Sequence, residues 1–505
     1  MLKRNLIANY LGQGWTTLIN LIFIPVYIHY LGIEAYGLIG MFGVLIVWLS
    51  LLDLGMKPTL SRELALFTGG AYTVEAIRDL LRSVEFLAVT IAVLIALGIG
   101  SSATWIASEW LNTENIPTAT VAQSIAIMGL VTALRFVEGI YASSLVGLQR
   151  QMMLNLIKSG MATIGAVGAI FILALVSPTL QAFFAWQGIV SIATLLILAV
   201  STYSSLPKSG RCARFSVKSL QRIRRYASGV LGIAFLGILL TQIDKVILSK
   251  LLSLSDYGYY TIAAVVAGSL FTLVGPITQA WFPRLSQYHA QGDEDALAES
   301  FHLGAQMITI ILGSVSLVLI AHSNTILQLW TRNSELAEDA AVLVSLLAFG
   351  NLLNGLCHLP YHAQLAHGWT ELGVRSNAIG VGIIVPAIIL VVPHYGAVGA
   401  AAVWIALNVG YVVIIPQYMY ERILIGQKKR WYLDDLLYPL LAATFAVTFL
   451  TLTMRMGDSA AVQFAELLFT IVVATLSAIL AADKVRPIVW KAICTNIRAR
   501  KCVIG

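Results

Sequence analysis

The sequence predicts an all-α polytopic membrane protein with fourteen transmembrane helices and both termini in the cytoplasm. The first observation is composition: hydrophobic residues make up 58% of the 505 residues and charged residues 11%, whereas soluble domains have about 45–50% and about 25%. The second is a mean hydropathy of +0.83. The third is a series of apolar runs that reach the roughly 20 residues a membrane-spanning helix needs.

Fourteen apolar segments are the predicted spans. The first is too long for the apolar region of a signal peptide and lacks a small-x-small cleavage site, so we expect an uncleaved helix. Pro276 interrupts the eighth span, and several polar residues interrupt the tenth. In chain order, the predicted spans are 7–31, 36–58, 84–107, 118–146, 154–176, 180–204, 228–252, 257–282, 299–322, 337–365, 372–393, 396–420, 435–455 and 461–481.

The positions of Lys and Arg predict the orientation. With the N-terminus inside, 25 of the 32 basic residues fall in cytoplasmic segments and 3 in external ones. Cytoplasmic loops of membrane proteins carry such an excess. The formal charge of +7 therefore comes from basic cytoplasmic segments that are attracted to anionic lipid. It does not indicate a nucleic-acid partner.

The connecting loops exclude several classes of protein. The longest external connection is about 322–337 and the longest internal loop is 205–227, so there is no room for a soluble catalytic domain. No G-x-x-x-x-G-K-[ST] phosphate-binding loop is present. Four cysteines in 505 residues are too few for a disulfide scaffold, and they show no C-x-x-C spacing, which argues against a zinc site or a redox motif. We therefore expect a transporter or channel with no enzymatic activity, no cofactor and no metal.

Two short motifs recur along the chain and predict an internal repeat. Tyr36-Gly37 follows the first span and Tyr257-Gly258 the seventh, at an offset of 221, while the motif Pro-x-Leu-Ser recurs at Pro58 and Pro283, at an offset of 225. Six spans separate the copies, so both enter from the same side, which predicts two parallel six-helix bundles around a central cavity. The predicted domains are bundle 1–204, a basic cytoplasmic linker 205–227, bundle 228–420, and helices 13–14 with a basic cytoplasmic tail at 421–505.

Charged residues inside spans are candidate functional residues, because a charge at mid-bilayer is costly. Arg135 and Glu138 lie mid-span at i,i+3, on one helix face. They either form a self-neutralising pair that locks packing, or provide a cavity-facing cation with a titratable acid beside it. Asp244 and Lys245 are adjacent and point about 100° apart. We therefore expect that they are not simply each other's partner and that at least one faces the cavity.

Two further lysines lie at the ends of spans. Lys57 ends the second span and Lys158 begins the fifth, so both either line the cavity or extend to the cytoplasmic interface. Asp53 precedes Lys57 by four residues, a spacing that allows an interfacial ion pair. Cations suit a phosphate or pyrophosphate, and the acids Asp53, Glu138 and Asp244 are candidates for coupling to protons or sodium.

Polar side chains also recur at helical spacing on two spans. Facing lipid they would be costly, whereas facing a wet cavity they would not. Amides and aromatic rings suit sugars. His358 and His362 are four residues apart, but no acid or cysteine joins them, so we favour hydrogen bonding or proton coupling over metal binding. The predicted lining comprises Asn9, Gln13, Asn20, Asn351, Asn354, His358 and Tyr361.

Several stretches of the chain carry a resemblance to a known family: 31–40, 52–56, 61–65, 242–249 with the tyrosines around Gly258, and 395–401. They resemble, in order, the first two helices, the seventh helix and the start of the twelfth helix of the polysaccharide-transporter family. These are the Wzx-type O-antigen flippases of the multidrug/oligosaccharidyl-lipid/polysaccharide (MOP) superfamily, to which the MATE carriers also belong. Asp53, Asp244 and Lys245 fall on the family pattern, whereas Arg135 and Glu138 are inferred from depth in the membrane.

The resemblance implies an alternating-access carrier in the bacterial inner membrane. It would move an undecaprenyl-pyrophosphate-linked oligosaccharide, as used in lipopolysaccharide synthesis, from the cytoplasmic to the periplasmic leaflet with H⁺ or Na⁺ coupling. We expect a monomer, and the sequence leaves open whether it works beside a polysaccharide polymerase. A lipid II flippase and a multidrug/cation antiporter of the same superfamily remain alternatives. A membrane glycan polymerase or ligase is disfavoured by the short external loops.

Overall fold

The computed structural model describes residues 2–68, 72–211, 213–454 and 457–491. Its described residues form helices joined by short connections, with one isolated bridge between Asn112 and Ser253. The all-α prediction is confirmed. Two compact units are present, residues 1–258 and residues 259–505.

Eight α-helices lie wholly within the described residues of the first unit. Gly32, with φ of 85°, separates the first two, in a backbone region that suits glycine. The core between α5, α6 and α7 includes Leu145, Leu154 and Leu198. The helices are α1 (Leu2–Leu31), α2 (Ile33–Leu49), α3 (Met56–Thr68), α4 (Val74–Trp105), α5 (Thr118–Gly147), α6 (Gln151–Leu175), α7 (Leu180–Ser205) and α8 (Val217–Leu251). The next helix, α9 (Leu254–Gly268), runs across the boundary between the units.

In the second unit, the part of the chain that the structure describes continues with nine α-helices. Its core includes Ile310 of α11, Val447 of α17 and Ala474 of α18. A π-helical segment, Trp431–Leu437, joins α16 to α17. The helices are α10 (Phe271–Gln291), α11 (Glu294–Ala321), α12 (Ser323–Thr331), α13 (Ser334–Leu356), α14 (His358–Ala366), α15 (Glu371–Arg422), α16 (Lys428–Arg430), α17 (Tyr438–Thr453) and α18 (Ala460–Ala481).

Short polar side chains begin several of these helices. The side chain of Asp293 accepts a hydrogen bond from the Ala296 amide at 2.9 Å at the start of α11, and Asn333 accepts one from Leu336 at 3.1 Å at the start of α13. Thr73, Thr179 and Ser459 cap α4, α7 and α18 in the same way. Such caps satisfy amides that have no partner inside the helix.

The predicted second span, 36–58, is wrong at its end, because the apolar helical segment runs over Ile33–Asp53. Helix α2 ends at Leu49, a 3₁₀ turn occupies Ser50–Asp53, and the chain turns through Leu54 and Gly55 at positive φ. Lys57 therefore lies in the first turn of α3 and does not end a span. The predicted eighth and tenth spans are also broken, after Gly268 and at Cys357.

Two other predicted boundaries differ from the structure. Helix α8 begins at Val217, so the non-helical part of the predicted 205–227 linker is limited to its first half. The predicted external connection 322–337 contains helix α12. The predicted break between spans 372–393 and 396–420 is confirmed, because Gly396 has a non-helical backbone (φ 56°, ψ −145°) inside α15.

The described residues contain 12 segments long and apolar enough to cross a membrane. One of them, Glu371–Arg422, has 52 residues, more than twice the length of a single crossing, and it is broken at Gly396. The chain is thus a multi-pass membrane protein, as predicted, while the count of fourteen and the orientation stay predictions. The tail beyond residue 491 lies outside the described residues.

Candidate functional site

Helix α5 carries Arg135 inside the first unit. The guanidinium Nη2 donates to Oε1 of Gln187 at 2.9 Å, and Nε donates to Oγ of Ser191 at 3.4 Å. The guanidinium carbon also lies 5.0 Å from the ring centroid of Phe42, a favourable cation–π distance. Neutral partners on α7 and α2 therefore position the cation of α5.

Glu138 lies one turn further along α5 and within electrostatic range of both Arg135 and Lys158. It forms no direct ion pair with Arg135, although both side chains belong to the described part of the chain. Its Oε1 is buried and has no hydrogen-bond partner among the described residues. A buried carboxylate oxygen of this kind is able to take up a proton or to bind a cation.

Lys57 extends toward the same part of α5. Its Nζ lies 5.0 Å from the ring centroid of Phe136 and 3.6 Å from Oδ2 of Asp53, so the predicted ion pair is present. Oδ1 of Asp53 accepts a hydrogen bond from the Gly55 amide at 2.7 Å, which fixes the turn before α3. The lysine stem packs against Gly139, where a β-carbon would clash with it.

Lys158 is exposed on α6 and interacts electrostatically with Lys57 and Glu138. The structure thus brings three predicted cations and two predicted acids together in the first unit. We call this group the cationic cluster; it comprises Asp53, Lys57, Arg135, Glu138 and Lys158. Its members come from the α2–α3 turn, α3, α5 and α6.

Asp244 and Lys245 contact each other and each has a further partner, in line with the expectation that they are not simply each other's partner. Nζ of Lys245 lies 3.4 Å from Oδ1 of Asp244 and donates to the Thr241 carbonyl at 3.0 Å. The two Cβ atoms diverge, but the four-carbon lysine stem is long enough to bend back along α8. Both side chains are partly exposed, at 24% and 17%, and Asp244 has a further partner in the structure.

The predicted polar stripe on the first span is described only in part. Asn20 is exposed on α1. The side chains of Asn9 and Gln13 lie outside the described residues.

The predicted polar residues of the tenth span form a hydrogen-bond network in the second unit. The indole Nε1 of Trp404 donates to Oδ1 of Asn351 at 2.9 Å, and Nδ2 of Asn354 donates to Oδ1 of Asn408 at 2.7 Å. Both bonds connect α13 to α15. Nearby, Nε2 of His358 lies 3.3 Å from Oδ1 of Asn354, its ring stacks on Phe271, and Tyr361 is exposed.

Sequence reasoning missed Gln187 and Ser191, the partners of Arg135. A signal was available, because these two polar residues are spaced i,i+4 in an apolar span. It also missed a buried group in the second unit, where Nδ1 of His302 lies 2.5 Å from Oδ2 of Asp435 and both side chains are 0% exposed. Gln306 lies about one turn after His302 on α11. Its Nε2 donates a hydrogen bond to Oδ1 of Asp435 at 3.0 Å.

The residues that begin α2 and α9 form a second unpredicted contact. A β-carbon on Gly37 would lie 2.5 Å from the Leu254 carbonyl oxygen, and one on Gly258 would lie 2.5 Å from the Ile33 carbonyl oxygen. The two glycines are the second residues of the repeated Tyr-Gly motif, and each approaches the residue four positions before the other. The two approaches are therefore equivalent, as they would be if a two-fold rotation axis related the two motifs.

Comparison with known proteins identifies the family. Residues 2–289 match the family model described as "Polysaccharide biosynthesis protein", which covers more than half of the chain. The chain belongs to the polysaccharide biosynthesis protein family. A second model, MatE, matches residues 231–390. The predicted membership of the polysaccharide-transporter family within the MOP superfamily is confirmed.

Two curated relatives of this polysaccharide biosynthesis protein are distant but nearly full-length. A Shigella flexneri protein whose name proposes O-antigen transport is 21% identical over 424 residues, covering 83% of this chain and 97% of its own. The uncharacterized membrane protein EpsK of Bacillus subtilis is 23% identical over 444 residues, covering 84% of each. The Shigella flexneri relative supports the prediction of a bacterial inner-membrane transporter rather than an enzyme.

Solved structures share the fold. The lipid II flippase MurJ, in an inward closed conformation, aligns with a TM-score of 0.70 at 14% identity over 94% of this chain and 98% of its own. A multidrug resistance MATE transporter of the MOP superfamily, facing inward, aligns at 0.67 with 15% identity over 82% and 96%. The polysaccharide biosynthesis protein thus has the MOP fold predicted from its sequence.

Proposed function

We propose that this protein is an alternating-access flippase that moves an undecaprenyl-pyrophosphate-linked oligosaccharide, an O-antigen or other surface polysaccharide unit, from the cytoplasmic to the periplasmic leaflet. The family assignment gives the process, polysaccharide biosynthesis. The relative with proposed O-antigen transport supports the cargo class. The fold shared with a lipid II flippase is compatible with a lipid-linked substrate.

One observation carries the proposal: Arg135 is held inside the helices of the first unit by neutral partners, and no described carboxylate pairs with it directly. A guanidinium presents donors that match phosphate oxygens in pairs. Placing it in a membrane helix is costly, so an anionic ligand that offsets the charge is a physical reason to keep it there. Lys57 and Lys158 add two cations to the same cluster, which suits a pyrophosphate better than a neutral lipid.

We also propose that proton or sodium movement drives transport through the acids of the same cluster. Glu138 supports this proposal because its buried Oε1 has no hydrogen-bond partner among the described residues. Protonation or binding of a sodium ion would satisfy that oxygen. Asp53 has the Lys57 ammonium and the Gly55 amide as partners, and Asp244 has Lys245, so these two acids are weaker candidates.

The proposed organisation remains two six-helix bundles (1–204 and 228–420), a linker, and two additional helices with a tail. The reciprocal contact of Gly37 and Gly258 supports the parallel repeat on which that organisation depends. The polar residues of α13 and α14 belong to the second bundle. We propose that the exposed Tyr361 and the partly exposed His358 contact the sugar, while Asn351 and Asn354 connect the helices that carry them.

Transport in proteoliposomes tests the proposal. Purified protein is reconstituted with a fluorescent undecaprenyl-pyrophosphate oligosaccharide, with lipid II, or with a cationic drug, each with and without an imposed proton or sodium gradient. We expect the oligosaccharide donor to cross fastest and the gradient to accelerate it. Movement of lipid II alone would favour a lipid II flippase, and movement of the cation alone would favour the multidrug antiporter; either result overturns the proposal.

A further inference from the structure

Three side chains with metal-binding atoms meet at neighbouring helix ends in the second unit. They are His289 near the end of α10, Glu294 at the start of α11, and His367 directly after α14. One ligand atom from each lies within 4.8 Å of the others, and the two imidazole ring centroids are 4.1 Å apart. The loop between α10 and α11 brings the first two together, whereas His367 comes from a distant part of the chain.

The hydrogen bonding of His367 prepares one ring nitrogen for a ligand. Its Nδ1 lies 2.8 Å from the backbone carbonyl of Ala363, so Nδ1 carries the hydrogen that this bond needs. In a neutral ring, Nε2 then presents its lone pair. Metal-ligating histidines commonly donate their other ring N–H to a backbone carbonyl, which fixes the tautomer and the ring orientation. The hydrogen bond from Nδ1 of His367 to the Ala363 carbonyl is a bond of this kind.

We propose that His289, Glu294 and His367 form a binding site for a divalent transition-metal ion, with zinc as the best match. Two imidazoles and one carboxylate are an established zinc ligand set, with a water in the fourth tetrahedral position. Zinc bonds of about 2.0–2.1 Å place tetrahedral ligand atoms about 3.4 Å apart, so the three ligand atoms need to approach one another by at most about 1.4 Å. His289 and Glu294 are exposed and His367 is half-buried, which leaves room for that adjustment.

The proposed site has a mechanical consequence for the second unit. A bound ion would connect the end of α10, the start of α11 and the residue after α14 through three coordinate bonds. These helix ends otherwise meet through the cap that Asp293 provides to α11 and through ordinary packing. The site does not include the cationic cluster, and it does not depend on the proposed flippase function.

Metal binding to purified, tag-free protein in detergent tests the site. After treatment with a chelator, zinc uptake is measured by equilibrium dialysis, and Co²⁺ is added separately because tetrahedral Co²⁺ absorbs strongly in visible light. The variants are His289→Ala, His367→Ala and Glu294→Gln. The matched control is His394→Ala, which removes an exposed histidine of the same unit outside the site.

We expect one zinc ion per chain and a tetrahedral Co²⁺ spectrum for the wild type and the control. Each histidine variant should bind at least about tenfold more weakly, and Glu294→Gln should weaken binding less. The melting temperature without metal shows whether each variant is folded. If a histidine variant does not fold, the zinc affinity of Glu294→Gln tests the site in its place. Equal binding by all proteins, or no zinc uptake by the wild type, overturns the proposal and leaves a metal-free imidazole pair.

Discussion

The carbonyl oxygen of Leu254 lies 2.5 Å from the position that a β-carbon on Gly37 would occupy. The same distance separates the Ile33 carbonyl from a β-carbon on Gly258. Around this contact, Glu34 accepts hydrogen bonds from the amides of Glu114 and Asn115 at 2.7 and 3.0 Å. The repeated Tyr-Gly motif is therefore explained by a close backbone approach at the starts of α2 and α9.

Replacing Gly37 by Ala should destabilise the protein, because the added methyl group collides with a backbone carbonyl that cannot rotate away. Overpacking of this kind typically costs about 1–3 kcal/mol. The melting temperature in detergent measures it. Gly43→Ala is the control on the same helix, since a β-carbon there meets nothing within 4 Å, and it should be neutral or slightly stabilising. Equal melting temperatures for the two variants would contradict the contact.

Asp435→Ala should reduce the stability of the protein more strongly than Gly37→Ala does. It leaves the buried imidazole of His302 and the Gln306 amide without their acceptor, and removing one partner of a buried pair typically costs about 3–5 kcal/mol. Thermal unfolding measures the loss. Asp434→Ala tests the neighbouring carboxylate, for which we expect a small effect; if both variants melt alike, the buried pair is not a determinant of stability.

Gln187→Glu should separate stability from transport. The substitution places a carboxylate where the neutral oxygen now lies 2.9 Å from Arg135, so the charge pair should leave the melting temperature unchanged or raise it. It also neutralises the cation proposed to bind pyrophosphate. A charge-assisted hydrogen bond is worth about 1.5–3 kcal/mol, so transport should fall at least about tenfold. Gln181→Glu on the same helix is the control, and normal transport by Gln187→Glu would argue against the cationic cluster.

Glu138→Gln should abolish the effect of an ion gradient. An amide retains the shape of the side chain but cannot take up a proton at neutral pH, and it binds sodium less well than a carboxylate does. We expect transport of the variant with a gradient to equal its transport without one. Glu335→Gln, an exposed acid of the other unit, should respond to the gradient like the wild type. A gradient response retained by Glu138→Gln would assign coupling to another acid.

The sequence was sufficient for the fold class and much of the cationic cluster. Hydrophobic length identifies spans, and the cost of burying charge makes Arg135 and Glu138 visible in an apolar segment. Spacing also predicted the pair of Asp53 and Lys57. The turn at Leu54 and Gly55 was missed because a short apolar turn has the same hydropathy as a helix.

Contacts between distant parts of the chain were not predictable in the same way. The partnership of Arg135 with Gln187 depends on how α5 packs on α7, and that of His302 with Asp435 on how the π-helical segment packs on α11. The contact between Asp244 and Lys245 was not predicted either, since helix geometry alone ignores the length of a lysine side chain. Amphipathic spacing on α13 likewise indicates polarity without showing whether water or another helix satisfies it.

The central claim is that the cationic cluster binds the pyrophosphate of a lipid-linked oligosaccharide during flipping, and transport by Arg135→Ala tests it most directly. The variant is reconstituted beside wild type and Arg150→Ala, which removes an exposed arginine from the same unit, at matched amounts of folded protein. The account predicts near-normal transport for Arg150→Ala and at least about a tenfold loss for Arg135→Ala, the equivalent of about 1.4 kcal/mol. Equal transport by all three proteins would contradict it.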